Sequence, residues 1–399
     1  MDKPINEPEF CPNPNCRFHS REIAAEYQWY IRFGRFETEA RGAIQRFRCR
    51  GCGKTCSTQT FSVHYWTHST NDLVWLLHHL YGANGQRATG RFAGASHRVI
   101  QNRIRRLARN CLAVMDLAIE RFALMEDLAM DGFESFTRSK YHPNNITQLV
   151  GAQSEFIYAA VHTLLRRKGA MSPGQRACRS LIDSVWSPVT TTRQDCRQLL
   201  SDASDAIGAA CERRGELQLA TDCHRDYRPA LLAVPLLASE LARGRLEHLQ
   251  VSSRVARTRT NPLFPVNYVD RQLRAHLAEH GRRTIRHARE VNCQMERMAI
   301  FMVLHNFLSP YRVSGHACVA TAPTHARVAT VYDPELTAQL ARVITHRHVH
   351  SHCRAGQQWI ERIWLHRYHN PPAVRIKKGQ LVVRKVALGP GELPKHFIA

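Results

Sequence analysis

The chain has 399 residues, with 56 Lys and Arg against 33 Asp and Glu and a formal charge of +23 when histidine is neutral. That length allows two or three domains, each with its own core, and a hydrophobic content of 44% excludes a disordered polycation. No stretch reaches about 18 uninterrupted apolar residues, so no membrane-spanning helix is expected, and so large a basic excess makes a polyanion, nucleic acid first, the expected partner.

A strongly basic protein can also be merely soluble, so motifs decide. The opening residues MDKPINEPEF are polar and acidic and do not read as a signal peptide. Thirteen cysteines are an odd number, most of them scattered singly. They fit a reducing cytoplasm better than a disulfide framework, and clustered ones then invite a metal. Four are clustered: CPNPNC supplies Cys11 and Cys16, and FRCRGCGKTCS supplies Cys49 and Cys52. The pattern is C-x4-C, thirty-two residues, C-x2-C. Four thiolates on two tight knuckles suit tetrahedral zinc, with Pro12 and Pro14 bending the first knuckle and Gly51 and Gly53 the second. The insert between the knuckles alternates, as in YQWYIRFGRF at residues 27–36, and reads as a hairpin. A zinc ribbon is therefore expected over residues 1–66, its metal structural; free thiols are the alternative, and Cys56 is a spare.

Residues 67–126 read as helical. NDLVWLLHHLY, 71–81, is preceded by Ser69 and Thr70 as candidate caps. QRATGRFAG, 86–94, is a short helix ending on glycine, and HRVIQNRIRRLARN, 97–110, carries Ile100, Ile104, Leu107 and Cys111 as one apolar stripe. Arg98, Arg103, Arg105, Arg106 and Arg109 fill the rest of that helix without an acid among them. Helix, glycine turn and basic helix give the helix-turn-helix arrangement, with the five arginines as DNA contacts. A solvated basic helix in a bundle is the alternative. A separate linking helix is expected over 112–126.

From residue 127 to 312 the pattern changes. LAMDGFESF (128–136), ITQLVGAQ (146–153) and EFIYAAVH (155–162) read as three consecutive strands. Helical stretches follow at 172–183 and 192–214, then an apolar strand ending on Asp222, a fifth strand at 246–253, and helices at 265–280 and 284–308. Three strands, helix, strand, strand, helix is close to the ribonuclease H-like order, a mixed-sheet α/β arrangement. In that fold an acid of the first strand and one ending the fourth lie side by side, and a third comes from the helix after the fifth strand. Carboxylates so placed repel one another unless divalent cations neutralise them.

The cysteine pattern, the helix-turn-helix, Asp131 in MDGFESF, Asp222 in LATDCHRDY and the segment NPLFPVNYVDRQLR to RRTIRHAR together carry a resemblance over residues 11–312. The chain resembles bacterial insertion-sequence transposases of the three-acid (DDE/D) type with an N-terminal zinc ribbon. The resemblance implies binding of double-stranded DNA at element ends, and strand cleavage and transfer with Mg2+ or Mn2+. It also implies a homo-oligomer on DNA and a cytoplasmic, nucleoid-associated bacterial setting. The third acid is first Asp270, in VNYVDRQLR, where relatives usually carry glutamate; Glu296 in QMERMAIF is next, then Glu290 and Glu279. Glu134, an odd step from Asp131 along its strand, turns to the other face. Arg254, Arg257 and Arg259 in SSRVARTRTNPLF, with Arg271 and Arg274, are expected to grip the DNA backbone.

Residues 313–399 read as a basic C-terminal region of unassigned role, with a histidine run at 346–353 and a basic hairpin within 375–389. A non-catalytic DNA-binding regulator, or an inactive transposase relic, is the alternative to the enzyme.

Overall fold

The computed structural model describes residues 7–65, 67–69, 72–121, 123–281, 285–311, 322–330, 340, 344, 370–377 and 380–384. The histidine run at 346–353 lies outside the described residues. The chain is a mixed α and β protein with a three-stranded antiparallel sheet, a five-stranded mixed sheet and a two-stranded hairpin.

The first unit holds a short helix α1 (Arg21–Glu26) and strands β1 (Tyr30–Thr38), β2 (Gly42–Cys49) and β3 (Thr55–Ser57). Both strand pairs are antiparallel, so the predicted hairpin is present. Gly42, at φ +63°, sits in the left-handed region that the turn between β1 and β2 demands and that glycine occupies without steric cost. Phe10, Phe18, Trp29, Phe47 and Phe61 form a small core around the cysteines.

The helical segment contains α2 (Leu73–Tyr81), α3 (Gln86–Phe92) and α4 (His97–Arg121). Its first cap is not Ser69; Asp72 accepts from the amides of Val74 and Trp75, and Thr70 lies outside the described residues. The expected break after residue 110 is absent, because α4 runs unbroken to Arg121. No glycine or proline interrupts it, and the apolar stripe continues from Ile100, Ile104, Leu107 and Cys111 to Met115 and Ala118.

Strands β4 (Leu128–Phe136), β5 (Pro143–Gly151) and β6 (Ile157–Leu164) form an antiparallel meander. Helices α5 (Pro173–Asp183) and α6 (Thr192–Arg214) then cross back to β7 (Leu217–Asp222). Helices α7 (Tyr227–Leu232) and α8 (Pro235–Ala242) lead to β8 (Leu246–Val251). β7 lies parallel to β4 and β8 parallel to β7, pairings that require such helical crossovers. The sheet order is β6-β5-β4-β7-β8. Capping boxes start both crossover helices, at Ser172 with Gln175 and at Thr191 with Gln194. Helices α9 (Phe264–His276) and α10 (Val291–Val303) follow, then α11 (His325–Val328) and the antiparallel pair β9 (Ala373–Lys377) and β10 (Gln380–Arg384).

The alternation of β4 sorts its side chains between two cores. Leu128 and Met130 pack with Leu199, Leu219 and Leu237 beneath α6 to α8. Ala129 and Phe133 pack on the opposite face with Val266 and Val269 of α9 and Met298 of α10. That second core also contains Leu76, Leu80, Ile104 and Leu107, so α2 and α4 share one interior with the sheet.

The edge of the meander is pinned by Glu126. This buried carboxylate accepts from the amides of Gln153 and Ser154 and from the Ser154 and Tyr158 hydroxyls. Glu126→Ala leaves several buried donors unmatched and is expected to lower stability by about 3 kcal/mol in urea unfolding; a loss under about 0.5 kcal/mol would show that the pin is dispensable.

Candidate functional site

Cys11, Cys16, Cys49 and Cys52 bring their sulfurs within 4.8 Å of one another. The Cys11–Cys52 and Cys16–Cys49 separations are 3.6 and 3.7 Å. Four sulfurs at a Zn–S length of about 2.3 Å stand about 3.8 Å apart in a tetrahedron, so this group can hold a structural zinc. The Gly51 amide donates to Cys49 Sγ at 3.3 Å. A Cβ on Gly51 would come within 2.9 Å of the Phe18 ring and 3.3 Å of Cys16 Sγ, so the knuckle has no room for a side chain there. Cys56 stays outside the group; burial, then the charges of Cys49 and Cys52, push its thiol up to about 12.

The second site lies on the five-stranded sheet. Asp131 shares the face of Ala129 and Phe133, and Asp222 shares that of Ala220. Met130 pairs with Thr221 in the parallel register, so the two acids stand one step further along neighbouring strands. Asp270 comes from α9, which covers β4 and β5. Gln148, opposite Asp131 on β5, donates to Asp270 Oδ1 at 2.9 Å. Burial, then the charge of Asp222, pushes the Asp131 carboxyl up to about 6, against the Gly132 amide, Arg257 and Tyr227. Burial, then the charge of Asp131, pushes Asp270 up to about 7, against Gln148, Arg274 and Arg257. The three acids thus share one electrostatic field. Among the described residues only the four cysteines gather their donor atoms within 4.8 Å.

No protein-family model and no curated protein matches the chain. The geometry alone therefore sorts the other acids. Glu296 is fully buried on α10, where Arg105 of α4 approaches its Oε1 at 3.5 Å. Burial pushes this carboxyl up to about 8, against the pull of Arg105 and Arg109. Glu279 pairs with Arg297 at 2.8 Å, and Glu290 stands at the N-cap position of α10, where its side chain makes no capping bond and accepts from the Cys293 thiol at 3.7 Å. None of the three is among the groups that shift Asp131 or Asp270. Glu134 is exposed, on the β4 face away from Asp131.

The arginines expected to contact DNA divide sharply. Arg103, Arg106 and Arg109 are 3%, 4% and 4% exposed, which corrects their assignment to a DNA-facing surface. Arg103 donates to the Ser69 carbonyl, Arg106 to those of Val63 and Tyr65, and Arg109 to that of Arg105. The segment before α2 packs on one side of α4 and α10 on another, so its basic flanks are enclosed. Arg105 is occupied by Glu296, and Arg98 is exposed. Arg254 and Arg259 are exposed on the loop after β8, while Arg257 approaches Asp131 Oδ2 at 3.8 Å. Arg271 is exposed and lies over the Phe264 and Tyr268 rings, and Arg274 lies 4.5 Å from the Phe133 ring centroid.

Two neighbours of the acids escape the sequence patterns. Tyr227 directs its hydroxyl to Asp131 Oδ1 at 3.5 Å, although its spacing from Asp222 carries no motif. Gln148 had a legible signal: it is a polar residue between Ile146 and Val150 on one face of β5, both fully buried. Among the described residues no helix is long and apolar enough to cross a membrane.

Proposed function

We propose that this chain is a transposase that binds the ends of a mobile DNA element and cleaves and joins strands with a divalent metal. The observation that carries the proposal is the meeting of Asp131 and Asp222 on neighbouring parallel strands with Asp270 above them from α9. Counted from β4, the sheet order is third, second, first, fourth, fifth, with the last two strands parallel to the first. That is the order of ribonuclease H-like folds, and it supports assigning the domain to that class. The chain's charge of +23 supports a polyanionic substrate.

The acid set fits a divalent cation. Burial and mutual repulsion raise Asp131 and Asp270, so the site lacks positive charge despite Arg257 and Arg274. Asp131, Asp222 and Asp270 would hold Mg2+ or Mn2+. Such ions, when bound, activate an attacking oxygen and stabilise a leaving one in phosphoryl transfer. Gln148 fixes the rotamer of Asp270, and the Gly132 amide, 2.8 Å from Asp131 Oδ1, fixes that of Asp131. Exposed Arg254 and Arg259 supply backbone contacts beside the acids.

The test is strand cleavage of DNA carrying the element's ends, with Mg2+ or Mn2+, by wild type and Asp222→Asn. The expected result is nicking by wild type and a loss of at least about 100-fold in the variant, with DNA affinity unchanged. Wild type that binds these ends and never cuts them with either metal would overturn the enzymatic reading.

A further inference from the structure

A cleft of about 550 Å³ opens between the helical segment and the core, away from the three acids. It is lined by α3 and the start of α4, with Arg87, Arg91 and His97, and by residues 285–290 and the start of α10, with Arg286 and Arg289. Arg286 donates to the Ala83 carbonyl at 3.0 Å and so braces the two sides. The lining contains two acids, Glu279 and Glu290. Glu279 is buried and consumed by Arg297 at 2.8 Å. Arg87, Arg91 and Arg289 are exposed and make no hydrogen bond or ion pair among the described residues. Glu290, which accepts from the Cys293 thiol at 3.7 Å, is the one lining acid without an ion pair among the described residues, so three guanidinium charges surround a concave space that holds a single unpaired carboxylate.

Shape narrows the choice of anion. The volume is that of a small-ligand pocket, about 300–1,000 Å³, too narrow for a duplex and sufficient for about one or two nucleotides of one strand. Charge on both sides of the cleft suits consecutive phosphates of a chain. Gln86 and Gln101 add side-chain amides of the kind that pair with base edges. Ile285, 91% exposed, offers an apolar surface at the rim on which a base can lie.

We propose that this cleft binds a single-stranded segment of nucleic acid, with its phosphates between Arg87 and Arg91 of α3 and Arg289 on the opposite side. The inference rests on the nucleic-acid reading above and adds a strand site separate from the acids.

The experiment compares full-length wild type with the double variant Arg91→Ala/Arg289→Ala. Binding of a labelled oligothymidine and of a labelled duplex is followed by fluorescence anisotropy across a salt series. Both arginines are exposed, so the melting temperature should not change, and Arg91→Lys/Arg289→Lys checks that charge is what matters. The expected result is single-strand affinity weakened roughly tenfold or more, with the log–log salt slope reduced by about 1.4 for two lost phosphate contacts. Duplex affinity should stay within about twofold of wild type, and the lysine pair should retain most of the slope. Unchanged single-strand binding in the alanine variant overturns the inference alone. An equal loss on duplex makes the arginines a rim contact for duplex and also overturns it. Wild type that binds neither oligonucleotide overturns the nucleic-acid reading and this inference together.

Discussion

Asp270→Asn is expected to reduce strand cleavage by at least about 100-fold while DNA binding is kept, and Glu296→Gln to leave cleavage within about threefold. The two acids differ in what surrounds them. Asp270 faces Asp131 from α9 and is held by Gln148, so its charge adds to that of the sheet acids. Glu296 is closed into the α4–α10 contact with Arg105, and its amide replacement there should cost stability rather than chemistry. The opposite result, cleavage lost in Glu296→Gln and retained in Asp270→Asn, would move the third acid to α10.

A second readout needs no substrate. Asp270 is pushed up to about 7 and Asp131 to about 6, both above the ordinary 3.8. An acid with a raised folded pKa holds its proton more tightly in the folded chain than in the unfolded one. Its contribution is therefore fully present at low pH and lost as pH rises through about 6 to 7. Buried His162 and His280, pushed down to about 4 and about 3, act in the opposite direction in acid. The quantity to read is the difference between wild type and Asp270→Asn. The variant, which cannot ionise at this position, is expected to gain melting temperature relative to wild type between pH 5 and about 8. Mn2+ at pH 8 should raise the melting temperature of wild type more than that of the variant, since a ligand stabilises the state that binds it. Parallel curves for the two proteins, with and without Mn2+, would place Asp270 outside any metal site.

Local patterns carried most of the fold. β4 was legible as a short apolar strand and the crossover helices as helical stretches at 172–183 and 192–214, which the structure starts on capping boxes at Ser172 and Thr191 and, for α6, ends on Gly215 at φ +77°. Asp131 and Asp222 were legible because each is an acid embedded in, or ending, an apolar strand of a recognisable order. What failed was tertiary. The composition of α4 shows a basic helix, but not that Val63, Tyr65 and Ser69 lie against it and take up Arg103 and Arg106. Charge on a helix reads as solvent-facing until a second element covers it, and no periodicity within α4 encodes that cover. The same holds for Arg257, whose loop position suggested backbone contact but whose guanidinium turns toward Asp131. Glu296, the second candidate for the third acid, lies in the contact of α10 with α4 beside Arg105, a placement that its sequence neighbours in QMERMAIF do not encode.

Cys49→Ser is expected to release the metal and unfold the N-terminal unit while leaving the larger core intact. The apolar cluster around the cysteines is small and separate from the two cores of the sheet, with Phe10, Phe18, Trp29, Phe47 and Phe61 as its main members. A unit of this size does not bury enough apolar surface to fold alone and needs a staple. Structural zinc supplies apparent binding energies of about 10–16 kcal/mol in zinc-finger peptides, far more than such a cluster contributes. Wild type should therefore carry about one zinc per chain by elemental analysis, as one tetrahedral four-sulfur site requires. Limited proteolysis of Cys49→Ser, or of wild type treated with a strong chelator, should open cleavage sites within residues 7–65. Resistance of residues 128–251, which hold the five-stranded sheet, should not change. Zinc-free wild type that keeps residues 7–65 protected would show that the four cysteines do not fold this unit through a metal. Loss of protection across the whole chain would show instead that the ribbon and the sheet unfold together, although their apolar clusters are separate.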